Sequence, residues 1–196
     1  MSRTTPTRMT RPRIPRRLVA VLVGVIAAIA DALGYRLLRV QDRGELGVAD
    51  GAVPYRTTVF DDAVPGVANL DPDLLGALRA AATDAATDGV EFIVNSGWRS
   101  PEYQRQLLRE AIREYGSEAE AAKWVSTAET FAHVAGTAVD IGSPGAKAWL
   151  AAHGARYGLY RIYRNEPWHY VLRPEAREHG GPPVYDNPAQ DPMMRR

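Results

Sequence analysis

His133-Val-Ala-Gly-Thr-Ala-Val-Asp-Ile141 is the stretch on which the fold turns. Its second half, Thr137-Ala-Val-Asp-Ile141, is a short apolar strand-like run with a carboxylate set between Val139 and Ile141. A buried carboxylate needs a compensating partner. Trp168-His-Tyr-Val-Leu172 repeats the pattern, with a histidine set between Trp168 and Tyr170. If the two runs pair in one sheet, Asp140 and His169 can face each other across it. His133 lies seven residues before Asp140, too far for one helical turn, and Gly136 between them lets the backbone bend so that both reach one point.

Imidazole and carboxylate suit zinc at neutral pH, because neither must give up a proton against a high pKa before binding. Zinc enzymes commonly offer three such ligands, leave a position for water and place a carboxylate beside that water as general base. Glu166, three residues before His169, is the candidate base. A lone histidine is more often a satisfied core residue than a ligand, and the spacing alone is only moderately specific. As a set, however, these ionisable groups sit in stretches otherwise built for a core, and a metal would satisfy them together.

Working outward, proline and cap signals mark helices. Asp71-Pro72 opens one whose Leu74, Leu75, Leu78, Ala82 and Ala85 repeat at helical spacing, with Gly89 as its stop. Ser100-Pro101 opens a second, with Tyr103, Leu107, Leu108 and Ile112 inward and Gly116 as its stop. Ser117-x-x-Glu120 is a capping box for a short third helix through Trp124. Ser143-Pro144 opens a fourth, closed by Gly154. Further strand-like runs are Val90 to Asn95 and Tyr160 to Tyr163. Helices early and strands late predict an α+β domain with a small antiparallel sheet and flanking helices.

The 196 residues allow one ordinary domain plus extensions. The net charge of +1 hides an asymmetry: Arg3, Arg8, Arg11, Arg13, Arg16 and Arg17 precede any acid, so the chain from Asp31 onward carries +1 less six, or −5. An acidic body argues against a nucleic-acid partner. The arginines run directly into Leu18 to Ala30, thirteen residues without a polar side chain, a basic region followed by an apolar one of export-signal length. Ala28-Ile29-Ala30 and Ala30-Asp31-Ala32 offer small-x-small cleavage sites. The rival reading is a retained single-pass anchor, though thirteen residues span only about 20 Å as a helix. Either places the body outside the cytoplasm. With no cysteine there is neither a thiol nucleophile nor a Cys-ligated zinc. The expected organisation is a signal peptide or anchor at 1–32, a stalk at 33–52, the domain at 53–173 and a proline-rich disordered tail at 174–196.

Other candidates have plainer readings. Ser96 and Ser100 lack the Gly-x-Ser-x-Gly context of a serine hydrolase, and Ser100 is better read as a helix cap. Arg99 could simply pair with Glu102. Trp98 and Trp168 are more often core than subsite. His153 lies near a helix end that favours positive charge, and His179 falls in the tail.

Three blocks, Ser96-Gly-Trp-Arg-Ser-Pro-Glu-Tyr-Gln104, His133-Val-Ala-Gly-Thr-Ala-Val-Asp140 and Glu166-Pro-Trp-His-Tyr170, resemble in order the signature blocks of the D-alanyl-D-alanine carboxypeptidase family typified by VanY. The resemblance implies the Hedgehog/D,D-peptidase-like zinc peptidase fold, with His133, Asp140 and His169 as zinc ligands and Glu166 as catalytic base. It further implies that Arg99 binds or polarises the substrate near the scissile carbonyl or terminal carboxylate, with Gln104 and Ser96 lining the pocket. A guanidinium fork suits either task. The expected substrate is a peptidoglycan stem peptide ending in D-Ala, and the expected state a monomer. The same metal site would also serve a D,D-dipeptidase, an L,D-carboxypeptidase or a stem endopeptidase, and a wall-binding module without catalysis is the reading from another class. One departure stands out. Family members usually carry a serine two residues before the first zinc histidine, where this chain has Phe131, which cannot donate that hydrogen bond.

Overall fold

Proline and its preceding cap fix where the helices begin. The computed structural model describes residues 46–125 and 132–195; the segment 1–32, most of the 33–52 stalk and Phe131 lie outside the described residues. A short α1 (Pro65–Ala68) precedes α2 (Pro72–Thr87). Asp71 Oδ1 accepts from the backbone N–H groups of Asp73 and Leu74 at 3.0 and 3.1 Å, two of the donors that a helix start leaves unpaired. Asp71→Ala should therefore cost about 1 kcal/mol, seen as a lower urea midpoint at unchanged m-value. An unshifted midpoint would show that the cap contributes nothing.

The same device opens α3 (Pro101–Tyr115), where Ser100 Oγ accepts from Tyr103 N–H at 3.1 Å. Gly116, at φ 81°, ends it. Ser117 caps α4 (Glu118–Ala121), which stops short of Trp124, and Ser143 caps α5 (Pro144–His153). The expected inward stripe on α3 differs from the observed one. Tyr103, Leu107, Leu108 and Ile112 are only half-buried, whereas Gln104 and Ala111 are fully buried. The helix lies beside the polar site rather than on the main core, so a polar side chain occupies its most enclosed position.

Four strands, β1 (Val94–Ser96), β2 (Ala138–Ile141), β3 (Leu159–Arg161) and β4 (His169–Leu172), form one antiparallel sheet in the order β1-β2-β4-β3. Alternation divides its faces. Val139, Ile141 and Tyr170 pack with Leu74 and Leu78 of α2, Phe92, Trp149 and Leu150 in the main core. Each fully buried leucine there contributes about 1.5–3 kcal/mol of transfer free energy. Ala138 and Val171 face the other way and join Ile162 and Tyr163 in a second, smaller cluster.

β1 starts four residues later than expected and carries a bulge. Val94 opposes Ile141 while Ser96 opposes Asp140, so two steps along β1 match one along β2. That extra residue, Asn95, turns Ser96 onto the face of Asp140. β3 ends early because Ile162 and Tyr163 leave the sheet to meet Tyr185 in a parallel bridge.

Packing continues on both sides of residues 53–173. Before residue 53, Asp50 already accepts the Ser100 backbone N–H at 2.8 Å, and Gly51, at φ 100°, lies so close to the Trp98 carbonyl that a Cβ would come within 2.2 Å of it. Beyond residue 173 the described chain packs back on the body. It forms turns at Pro174–His179, Pro188–Gln190 and Pro192–Arg195, and it buries Pro188 and Asp191. Its prolines stop helices and strands without stopping it from covering an existing surface. Among the described residues no helix is long and apolar enough to cross a membrane.

Candidate metal centre

Register on the sheet brings the predicted residues together. Asp140 lies directly opposite His169 across the β2–β4 pair and opposite Ser96 across β1–β2, so one row of the sheet presents all three. His133 comes from the turn before β2. Gly136 makes that turn at φ 72°, with its carbonyl accepting the Asp71 N–H at 2.9 Å, and a Cβ there would lie 2.5 Å from the Asn69 carbonyl oxygen. The bend expected at Gly136 is thus present and can be made only by glycine.

A second loop clamps His133 from two sides. Its Nδ1 lies 2.7 Å from the Gly97 carbonyl oxygen, and its own carbonyl accepts the Arg99 N–H at 3.1 Å. A carbonyl only accepts, so Nδ1 carries the proton and Nε2 is a lone-pair donor. That lone pair lies 3.4 Å from Asp140 Oδ1 and 3.2 Å from His169 Nδ1, which itself lies 3.2 Å from Asp140 Oδ1. Three ligands at zinc bond lengths of roughly 2.0–2.1 Å in tetrahedral array lie roughly 3.3 Å apart. All three edges of this triangle match that figure, so the residues present fit such an ion. His169 Nε2, which is not part of the triangle, is buried without a hydrogen-bond partner.

Burial depresses the pKa of His133 against the pull of Asp140, with Arg99 reinforcing it. Burial alone would raise Asp140, but the imidazoles of His133 and His169 outweigh it and hold the carboxyl well below the usual range. His133 as neutral imidazole and Asp140 as ionised carboxylate are the forms that ligate metal.

Glu166 sits beside this triangle, 7% exposed, with Oε2 3.8 Å from His169 Nδ1. Burial pushes its carboxyl up to about 7, with His169 opposing and Asp140 adding to the rise. A cation at the triangle would draw it back down. Arg99 turns inward, away from Glu102, which pairs with Arg105 instead. Its Nε donates to Ser96 Oγ at 2.8 Å, Nη1 to Gln104 Oε1 at 3.1 Å, and Nη2 reaches Asp140 Oδ2 at 3.5 Å. Ser96 and Gln104 thereby orient the guanidinium. Trp98 and Trp168 are half-buried and join neither apolar cluster, His153 packs on Trp149, and His179 is exposed.

Two neighbours were not foreseen. Tyr163, 2% exposed, lays its ring 5.1 Å from that of His169, and its hydroxyl donates to Asp191 at 2.9 Å. Tyr163 lay in a strand-like run with no mark of a site residue, and Asp191 stood among prolines.

Two imidazoles and a carboxylate at metal-ligand spacing, His169 and Asp140 on an antiparallel sheet and His133 on the turn before it, with a buried carboxylate alongside, define a metallopeptidase-like centre. The model of the VanY D-alanyl-D-alanine carboxypeptidase family matches residues 67–175, and the chain belongs to that family. A D-alanyl-D-alanine carboxypeptidase of Enterococcus faecalis is 35% identical over 123 residues, covering 50% of this chain and 43% of that protein; the chain spans less than half the length of this curated relative. Among solved structures, a mutant of the vancomycin-resistance D,D-pentapeptidase VanY in complex with Zn(II) superposes with a TM-score of 0.51 at 31% identity, covering 56% of this chain and 76% of that one. VanYB in complex with D-alanine-D-alanine gives 0.52 at 29%, covering 57% and 78%. The fold is that of the Hedgehog and D,D-peptidase group.

Proposed function

We propose that this protein is a zinc-dependent peptidase that trims peptidoglycan stem peptides, acting as a D-alanyl-D-alanine carboxypeptidase outside the cytoplasm. The observation that carries the reading is the triangle of His133 Nε2, Asp140 Oδ1 and His169 Nδ1, whose three edges of 3.2 to 3.4 Å suit one tetrahedral ion. Family membership and the D-Ala-D-Ala complex of VanYB support the substrate class. The basic and apolar run through Ala30 supports export, as a cleaved signal or a retained anchor.

His133, Asp140 and His169 would hold zinc, which when bound polarises a carbonyl and acidifies water. Glu166 takes the proton from the attacking water and hands it to the leaving amine. Its enclosed position keeps bulk water from competing for that proton. Arg99, held by Ser96 and Gln104, presents a fixed positive fork to the substrate carboxylate or developing oxyanion.

The test uses the full chain with a pentapeptide stem, assayed for free D-Ala before and after chelation. Release that stops on chelation and returns with zinc is the expected result. Zinc should also raise the thermal midpoint, since a site assembled by folding binds it more tightly than the unfolded chain does. Bound zinc without hydrolysis of any stem would replace the enzyme with a wall-binding module. Trimming of a tetrapeptide in place of the pentapeptide would move the assignment to an L,D-carboxypeptidase.

A further inference from the structure

Beyond residue 175, where the family match ends, the chain turns back towards the site. The Tyr185 N–H donates to the Ile162 carbonyl at 2.9 Å, and the Tyr185 carbonyl accepts the Arg164 N–H at 2.9 Å. The Asp186 carbonyl accepts the Asn165 N–H at 3.2 Å. These bonds fix the residues immediately before Glu166. On the other side of that loop, Asn165 Nδ2 donates to the Lys123 carbonyl at 2.9 Å.

Further along, Asp191 is only 4% exposed, although it lies five residues from the chain's last arginine. One carboxylate oxygen accepts the Tyr163 hydroxyl at 2.9 Å and the other accepts the Met193 N–H at 2.9 Å. Burying a carboxylate is costly, and a hydrogen bond to a charged acceptor is among the stronger kinds. The group it holds, Tyr163, packs its ring against His169 at an interplanar angle of 32°. The ring torsion of histidine has no sharp rotamer wells, so packing must set the direction in which Nδ1 points.

We propose that residues 184–191 form a positioning strap for the metal centre: Asp191, through Tyr163, sets the ring plane of His169, while the Tyr185–Asp186 backbone sets the approach of Glu166. Asp191 and Tyr163 are positioning residues and act through the side chains they hold. The inference rests on the reading of His169 as a zinc ligand and Glu166 as the base.

The test compares the full chain with its Asp191→Ala, Asp191→Asn and Tyr163→Phe variants, all below the lowest thermal midpoint. Zinc affinity is measured by chelator competition, the ligand field by visible absorption of the Co(II)-substituted proteins, and kcat and KM on a pentapeptide stem. Asp191→Ala and Tyr163→Phe should weaken zinc binding about 10-fold or more and shift the cobalt bands, because groups behind a ligand commonly carry that much. They should lower kcat with KM changed by less than about twofold. Asp191→Asn keeps an acceptor for the tyrosine and should restore most of the affinity. A merely structural role would lower the midpoint and leave zinc affinity and cobalt bands unchanged, and that result overturns the strap. Should Asp191→Ala fail to fold, Tyr163→Phe decides: wild-type zinc affinity in that variant is the overturning result. A wild-type chain that takes no zinc would instead sink the proposed function, so the two failures are distinguishable.

Discussion

Glu166→Gln is expected to bind zinc as tightly as the parent and to release D-Ala slower by about 10²- to 10⁴-fold, the usual contribution of a positioned general base. Glutamine keeps the volume and reach of the side chain but cannot take a proton. Among the described residues the Glu166 carboxylate makes no hydrogen bond, and its contact with His169 Nδ1 is at 3.8 Å, longer than a ligand set requires. Substitution should therefore spare the triangle. It should also raise the thermal midpoint of the metal-free protein, because a neutral amide loses less than a carboxylate on leaving water at a 7% exposed position. Stem-peptide kinetics, zinc titration and calorimetry check the three parts together. Parent-like turnover would remove Glu166 from the mechanism, and loss of zinc in step with activity would make it a ligand instead.

Gly97→Ala should be the most damaging added methyl among the described glycines. A Cβ at Gly97 would fall 1.9 Å from the Gly66 carbonyl oxygen, and that carbonyl already accepts the Trp98 N–H at 2.8 Å. Backbone meets backbone there, so no rotamer change can relieve the clash. We expect a loss of about 3 kcal/mol or more, which lowers the midpoint of a domain of this size by roughly 10 °C. The damage should reach the chemistry as well. The Gly97 carbonyl holds His133 Nδ1 at 2.7 Å, and a shift of that carbonyl frees the imidazole to turn or to change tautomer. Zinc affinity should fall by about tenfold or more, as it does when the partner behind a ligand is lost. A variant within about two degrees of the parent, with equal zinc affinity, would contradict both the steric and the tautomer arguments.

What the sequence disclosed was whatever is decided locally. Asp71-Pro72, Ser100-Pro101 and Ser143-Pro144 open helices because cap and proline act within one turn, and the structure starts α2, α3 and α5 at those prolines. Asp140 and His169 were legible because an ionisable group between apolar neighbours on a strand is conspicuous, and the observed register places them opposite one another. The bulge at Asn95 was not legible, since register depends on the partner strand more than on the bulged one. Nor was the pairing of Tyr163 with Asp191, which joins residues 28 apart through a segment whose prolines read as disorder. Ser96 and Gln104 were placed near the substrate by resemblance; the side-chain contacts show them orienting Arg99.

The two-faced sheet separates packing from chemistry residue by residue. Val139 and Asp140 are adjacent in the chain, yet one belongs to the main core and the other to the metal triangle. Drift in side-chain volume at Val139, Ile141 or Tyr170 can thus be absorbed by compensating changes on α2 and α5, with the chemistry on the reverse side left to selection of its own. Robustness to mutation and novelty of substrate can then accumulate on opposite sides of a single strand, at positions that alternate one by one.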